Sequence, residues 1–189
     1  NVPLRIPFKG ELLLRGEALM RYSDFERINA ELPETEAKYK NPRNLCTGTV
    51  RQLDPAVTAA RGVYFHAFSL VEAEGVEFNN SRAAQFAWLS DQGFEVVEYE
   101  TVTAATLRDS VLRFEAKIPE NDFPSDGLVL LLDDIAYGES LGRTAKFPRN
   151  AIAFKWQDEQ AETVLREIEW SPSRTGLINP VAIFDPVDL

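Results

Sequence analysis

The chain is poor in the residue types that most often announce chemistry. Its 189 residues include a single cysteine, a single histidine and a single methionine. The lone Cys46 excludes an internal disulfide framework, and it cannot alone build a zinc site, which draws on several Cys or His ligands. His66 has no second histidine to form a metal pair. No stretch approaches the roughly eighteen consecutive apolar residues of a membrane helix, and the N-terminus shows no charged region followed by an apolar signal core. The expected location is therefore cytoplasmic, with no membrane partner. Gly-x-Gly-x-x-Gly, phosphate-loop and Gly-x-Ser-x-Gly patterns are missing as well. Positive charge is in deficit: 20 Lys and Arg stand against 30 Asp and Glu, a formal net charge of −10. That balance argues against general adhesion to nucleic acid, which is dominated by neutralising phosphates.

What is present is a soluble globular composition, 44% apolar and 26% charged, with length enough for one full core or one domain plus the start of a second. The scarce positive charge is concentrated. Residues 37–53 carry Lys38, Lys40, Arg43 and Arg51 with no acid, and residues 143–157 carry Arg143, Lys146, Arg149 and Lys155, again with no acid. A solvated surface ordinarily intersperses the two signs, so either stretch is a candidate lining for an anion site.

The chain starts without Met and runs into a strand at Glu11–Glu17, as a piece of a longer protein would. Ser23 with Glu26 reads as a capping box, and Phe25, Ile28 and Leu32 recur at helical spacing until Pro33. Asn41-Pro42 opens a helix over 41–54, which would carry Arg43 and Arg51 about two turns apart. A strand is expected over Tyr64–Val71, a helix over Ser81–Gln92 closed by Gly93, and a strand over Phe94–Tyr99. Leu107, Val111, Phe114 and Ile118 form a stripe expected to be core behind a Thr103 cap. Ser125–Asp133 reads as a central strand, Asp134–Leu141 as a short helix, and Ala151–Trp156 as a further strand. A boundary is expected near residue 160, giving domains 1–160 and 161–189, the second beginning a new β unit. Helices and strands mix without strict βαβ alternation, which favours an α+β fold with mixed or antiparallel sheets and flanking helices.

Three side chains stand out for chemistry. Glu17 follows Gly16 at a strand end, where the missing side chain lets a ligand or another backbone approach; an exposed strand-end carboxylate is the plainer reading. Asp126 precedes Gly127 and the apolar run Leu128–Leu132. Asp-Gly is also a common turn signal, but an apolar strand behind it would hold the turn rigidly. Lys155 ends Ala151-Ile152-Ala153-Phe154, so it is expected in a low-dielectric wall, where its charge would act strongly on a phosphate. The competing reading is a lysine snorkelling to the surface. His66 reads as a satisfied core or edge histidine, and Cys46 as a small buried hydrophobe.

Taken in order, several segments resemble the bacterial NAD-dependent DNA ligases. They are Leu14-Arg15-Gly16-Glu17; Asn41-Pro42-Arg43-Asn44 running to Val50-Arg51-Gln52-Leu53-Asp54-Pro55; Asp126-Gly127-Leu128-Val129; and Leu141-Gly142-Arg143-Thr144. Pro148-Arg149-Asn150 running to Lys155 follows, then Arg174-Thr175-Gly176 with Pro180-Val181-Ala182. The resemblance implies the later portion of an adenylation (nucleotidyltransferase) domain, ATP-grasp-like, followed by the first strands of an OB-fold. It implies transfer of AMP from NAD to an enzyme lysine, then to a DNA 5′-phosphate, then joining of the nick, with Mg²⁺ as cofactor and nicked double-stranded DNA as partner of the full-length protein; the 189 residues by themselves are expected to be monomeric. Carried over by position, Glu17 would hold the adenylate ribose, Asp126 would support the reacting site and Lys155 would neutralise the α-phosphate. Arg43 and Arg51 would contact DNA phosphate or the nucleotide, and Arg174 the DNA backbone.

Two departures accompany the resemblance. The family's nucleophilic lysine lies in a Lys-x-Asp-Gly motif before the equivalent of Glu11, and Lys9-Gly10-Glu11 is not that motif, so these residues alone are expected to be inactive. The family also places a lysine five residues after the aspartate of its Asp-Gly strand, where this chain has Leu131. Losing one preorganised donor of this kind costs about 3–4 kcal/mol of transition-state stabilisation. Substitution by a nearby base such as Lys146, a different way of working, and weakened activity all remain open. The rival from another functional class is a non-catalytic nucleic-acid-binding or scaffold module, and a third option is a different adenylating enzyme, an ATP-using polynucleotide ligase.

Overall fold

A computed structural model describes residues 1–156 and 161–187. The chain divides into two units, residues 1–155 and 156–189; the boundary expected near residue 160 lies outside the described residues.

The larger unit is built on β1 (Leu12–Met20) and β2 (Val63–Ala73), paired antiparallel from Leu12 opposite Ala73 to Met20 opposite Val63. Alternation decides β1: Leu12, Leu14 and Gly16 are half-buried, while Leu13, Arg15 and Glu17 are exposed. Three helices connect the strands. In α1 (Tyr22–Glu31) the expected capping box is absent. Arg21 is the N-cap residue, Ser23 already lies inside the first turn, and its hydroxyl donates to the Asp122 carboxylate at 2.6 Å. The expected helix over 41–54 is two helices. Asn41 caps α2 (Pro42–Val50) by accepting from the Arg43 and Asn44 amides, and Asp54 caps α3 (Pro55–Arg61) by accepting from the Ala56 amide. A second cap followed by proline restarts the chain, so Arg51 becomes the C-cap of α2 rather than part of its run.

Two small cores flank this pair. Met20, Ile28, Leu45 and Cys46 pack with Phe25, Tyr39 and Val63 where β1 meets α1 and α2. On the other side, Ala67 and Leu70 of β2 pack against Phe86 and Leu89 of α4 (Arg82–Asp91), which Ser81 caps by accepting from the Ala84 amide. The strand expected over Phe94–Tyr99 reduces to one parallel bridge between Ala67 and Val96. Glu98 within it and Glu100 just after it turn instead to α5 (Leu107–Lys117): Ser110 Oγ donates to Glu100 at 2.7 Å and Lys117 Nζ to Glu98 at 2.6 Å. Thr106, not Thr103, is the N-cap of α5. The expected apolar stripe on α5 is half-buried rather than core, with Ser110 the helix's one buried residue.

The expected central strand is shorter and lies in a sheet of two. Strand β3 (Gly127–Leu131) pairs antiparallel with β4 (Ala151–Lys155), Gly127 opposite Lys155 and Leu131 opposite Ala151. Between them runs α6 (Ile135–Ser140), capped by Asp134, which accepts from the Tyr137 amide. Asp133 accepts from Ser81 Oγ and the Ala83 amide, latching the end of β3 to the start of α4. The second unit, taken by itself, is the antiparallel pair β5 (Leu165–Pro172) and β6 (Ile178–Phe184), joined by a turn at Arg174–Gly176. The observed class is therefore α+β with small antiparallel sheets.

Candidate functional site

Both singled-out carboxylates stand beside a glycine, and in both cases the glycine makes room for protein rather than for a ligand. A Cβ on Gly16 would lie 2.5 Å from the His66 carbonyl oxygen and 2.2 Å from the Phe65 ring. One on Gly127 would lie 2.3 Å from the Phe154 carbonyl oxygen. The neighbouring strands can therefore close against β1 and β3 only if these positions carry no side chain.

The segment before Asp126 is tied to the end of β1. The Tyr22 amide donates to the Asp122 carbonyl at 2.8 Å, while the Ser23 amide and hydroxyl both donate to the Asp122 carboxylate. The Ser23 hydroxyl, then its amide, hold the Asp122 carboxyl below its usual range. The Arg21 guanidinium lies 4.2 Å from the Tyr64 ring centroid and 5.3 Å from that of Phe123, a cation held over two aromatic faces. This clamp brings Pro124–Asp126 across from Glu17.

The result is a cavity of about 590 Å³ lined by Glu17, Ala18, Leu19, Met20, Tyr22, Arg43, Cys46, Thr47, Pro124, Ser125 and Asp126. Glu17 enters from β1, Arg43 from the first turn of α2, and Asp126 from the clamped loop. Lys155, at the end of β4, donates to Asp126 Oδ2 at 3.0 Å. That hydrogen bond first, then the Lys155 charge, the backbone and more weakly Arg43, hold the Asp126 carboxyl below the usual carboxylate range. Four of the residues singled out from the sequence thus meet at one place. The low-dielectric wall expected around Lys155 is not there. The Lys155 and Asp126 side chains are 66% and 78% exposed, and Ile152 is 68% exposed, because among the described residues β3 is the one strand paired with β4. So exposed a pair adds about 0–1 kcal/mol at most to stability; its significance is where it points.

Arg51 and Lys146 lie outside the lining of this cavity. Lys146 sits in a turn in which the Thr144 amide donates to the Phe147 carbonyl at 2.8 Å. Arg174 occupies the β5–β6 turn of the second unit. Leu131 lies on the β3 face that also carries Lys155 across the ladder, since directly paired residues share a face. Cys46 is buried and its thiol donates to the Ala18 carbonyl at 3.4 Å; burial, then the Glu17 charge, push it above its usual range, disfavouring the thiolate. His66 is opposite Glu17 on β2, its ring edge-on to Phe123 at 4.9 Å; its buried Nε2 lies 3.5 Å from Glu95 Oε2 and has no hydrogen-bond partner among the described residues. Sequence reasoning missed the clamp of Arg21, Ser23, Asp122 and Phe123. The acceptor role of Asp122 appears only when residue 122 meets residue 23.

Among the described residues no group of three or more His, Cys, Asp or Glu could hold a metal ion. Magnesium does not need one: it keeps several waters and binds through one or two carboxylates together with substrate phosphates. Glu17 and Asp126 are oxygen donors of that kind at the cavity.

A mixed cluster of acid and base beside a cavity is common to many folds, so the order of the motifs around it decides the family. The family model for the NAD-dependent DNA ligase adenylation domain matches residues 1–159. The chain belongs to this family. Two relatives, each named DNA ligase, match the whole of it: that of Ruminiclostridium cellulolyticum is 61% identical and that of Lachnoclostridium phytofermentans 62%, each over 189 residues and 29% of the relative. The DNA ligase of Shouchella clausii is 38% identical over 98% of this chain and 28% of the relative. The chain thus spans under a third of the curated relatives it matches. Within the adenylation-domain match fall β1 with Glu17, α2 with Arg43, and the β3–β4 pair with Asp126 and Lys155; Arg174 lies beyond it.

Proposed function

We propose that the whole protein seals nicks in double-stranded DNA by AMP transfer from NAD, and that the cavity between β1, α2 and the Asp126 loop receives the adenylate. The observation that carries the reading is the meeting of Glu17, Arg43 and Asp126 at one cavity, with Lys155 hydrogen-bonded to Asp126 at its edge, in a chain of this family. In this reading Glu17 accepts hydrogen bonds from the ribose hydroxyls. Lys155 turns its ammonium from Asp126 toward the α-phosphate and neutralises charge there as the phosphoryl bond changes hands. Asp126 holds Lys155 until the phosphate arrives. Charge stabilisation by fixed groups is the larger part of such chemistry.

Arg43 carries a guanidinium that enters none of the ion pairs among the described residues. It and Arg51 take phosphates of the nucleotide or of DNA, and Arg174 takes the DNA backbone from the β5–β6 turn. The second unit begins an OB-fold, and the larger unit is an ATP-grasp-like nucleotidyltransferase portion. Magnesium, when bound, shields phosphate charge near Glu17 and Asp126. The lysine that forms the AMP bond comes from outside these 189 residues; the whole protein works in the cytoplasm, and the 189 residues by themselves are monomeric. Incubating the full-length protein with adenylate-labelled NAD checks this. A covalent AMP–protein species, much reduced by Lys155→Ala, is expected, and absence of any such species in the unsubstituted protein overturns the reading.

A further inference from the structure

Helix α2 has a second cavity on the side away from Arg43, Cys46 and Thr47. It has a volume of about 300 Å³, and Tyr39, Lys40, Asn44, Gly48, Gln52 and Arg61 are among its lining residues. In a chain of net charge −10, no acid lines it, whereas two cations do. The half-buried Arg61 is held in place by neutral groups only. Its Nη1 donates to the buried Thr49 hydroxyl at 3.1 Å, its Nη2 to the Tyr39 hydroxyl at 3.4 Å, and it lies 5.7 Å from the Tyr39 ring centroid. Neither Arg61 nor Lys40 enters any ion pair among the described residues. A partly desolvated charge is ordinarily paired within the protein. A guanidinium that is fixed, planar and uncompensated is instead suited to grip an external oxyanion through its fork of donors. The side-chain amides of Asn44 and Gln52 add donors for a tetrahedral anion. The α2 N-terminus does not enter the argument, because the Asn41 side chain already accepts from the Arg43 and Asn44 amides.

We propose that this cavity, distinct from the one at Glu17 and Asp126, binds a phosphate group through Arg61 and Lys40. The phosphate belongs either to a nucleic-acid backbone or to a free nucleotide. The inference does not depend on the ligation reading, since it follows from the charge and geometry of α2, α3 and the 39–40 segment alone.

Gly48 supplies a clean test. A Cβ there meets nothing within 4 Å, so Gly48→Gln and Gly48→Glu both fit, and either is a better helix former than glycine. The 189-residue chain is titrated with inorganic phosphate at constant ionic strength, with chloride as control, while NMR follows the Arg61 Nε–H and the Gln52 and Asn44 side-chain amides. Saturable shifts are expected with phosphate and not with chloride. Affinity should fall at least tenfold in Gly48→Glu and in Arg61→Gln and change less than threefold in Gly48→Gln. Repeating the titration with a short DNA duplex and with AMP assigns the source: the one that moves the same resonances and competes with phosphate is the ligand class, and either result supports the site. Shifts that are linear and equal for phosphate and chloride overturn the proposal, as does unchanged affinity in Gly48→Glu.

Discussion

Glu17, Arg43, Asp126 and Lys155 come from four segments separated by up to 138 positions in the sequence numbering, and each is delivered by a local device. At Glu17 the device is Gly16. Replacing it with valine forces methyl groups into the Phe65 ring and the His66 carbonyl, so Gly16→Val is expected to cost about 1–3 kcal/mol by overpacking and to disturb Glu17. Chemical denaturation read alongside nucleotide binding checks both effects. At Asp126 the device is Lys155, and it has a pH signature. The carboxyl is depressed in the folded state, so the favourable pairing is complete above the ordinary aspartate range and is lost only as pH falls through the lowered value. NMR titration of the Asp126 carboxyl should therefore show it ionised throughout the neutral range and titrating below a reference aspartate; titration at or above the reference value contradicts the assignment. Cys46 should react slowly with iodoacetamide in the folded chain and quickly in denaturant, because burial and the Glu17 charge both disfavour its thiolate.

Elements, rather than side chains, mark the difference between what the sequence revealed and what it hid. Local signals placed β1, α4, β4 and the turn at Arg174 close to where they lie, because alternation, a Ser81 cap and a terminal glycine act within a few residues. Signals that depend on distant partners misled. Ser23 and Glu26 have the spacing of a capping box, yet the Asp122 carboxylate, 99 residues on, takes both the Ser23 amide and its hydroxyl. The Phe94–Tyr99 segment has strand composition but makes one bridge, Glu98 being drawn to Lys117 of α5 and the following Glu100 to Ser110 and Arg113. The wall expected around Lys155 failed for the same reason: flanking apolar letters do not reveal how many strands will cover them. The same clamp yields a prediction at this scale. Asp122→Ala removes two of the three hydrogen bonds that residue 122 accepts, the carbonyl bond from Tyr22 remaining, so the chain should stay folded while amide exchange quickens across residues 121–126. Leu131→Lys tests the departure from the family pattern. It sets a second ammonium on the Lys155 face of β3, roughly 13 Å along the strand from Gly127, and in the full-length protein it should raise nick-sealing rate if the leucine has weakened the site.

At the scale of the whole molecule, the net charge of −10 and the local pattern act on different things. The overall acid excess suppresses indiscriminate attraction to nucleic acid, while Arg43 and Lys40 place cations at the two cavities on either side of α2. Binding by few phosphate contacts should show a shallow dependence on salt. The family assignment rests on motifs spread over residues 1–159, and the chemistry assigned to them rests on one cavity. A crystal structure of the full-length protein with NAD is the direct measurement. The account predicts the adenylate in the cavity between β1, α2 and the Asp126 loop, its ribose hydroxyls on Glu17 and its α-phosphate on Lys155. Adenylate bound elsewhere, with Glu17 and Lys155 both out of hydrogen-bonding reach, would contradict it.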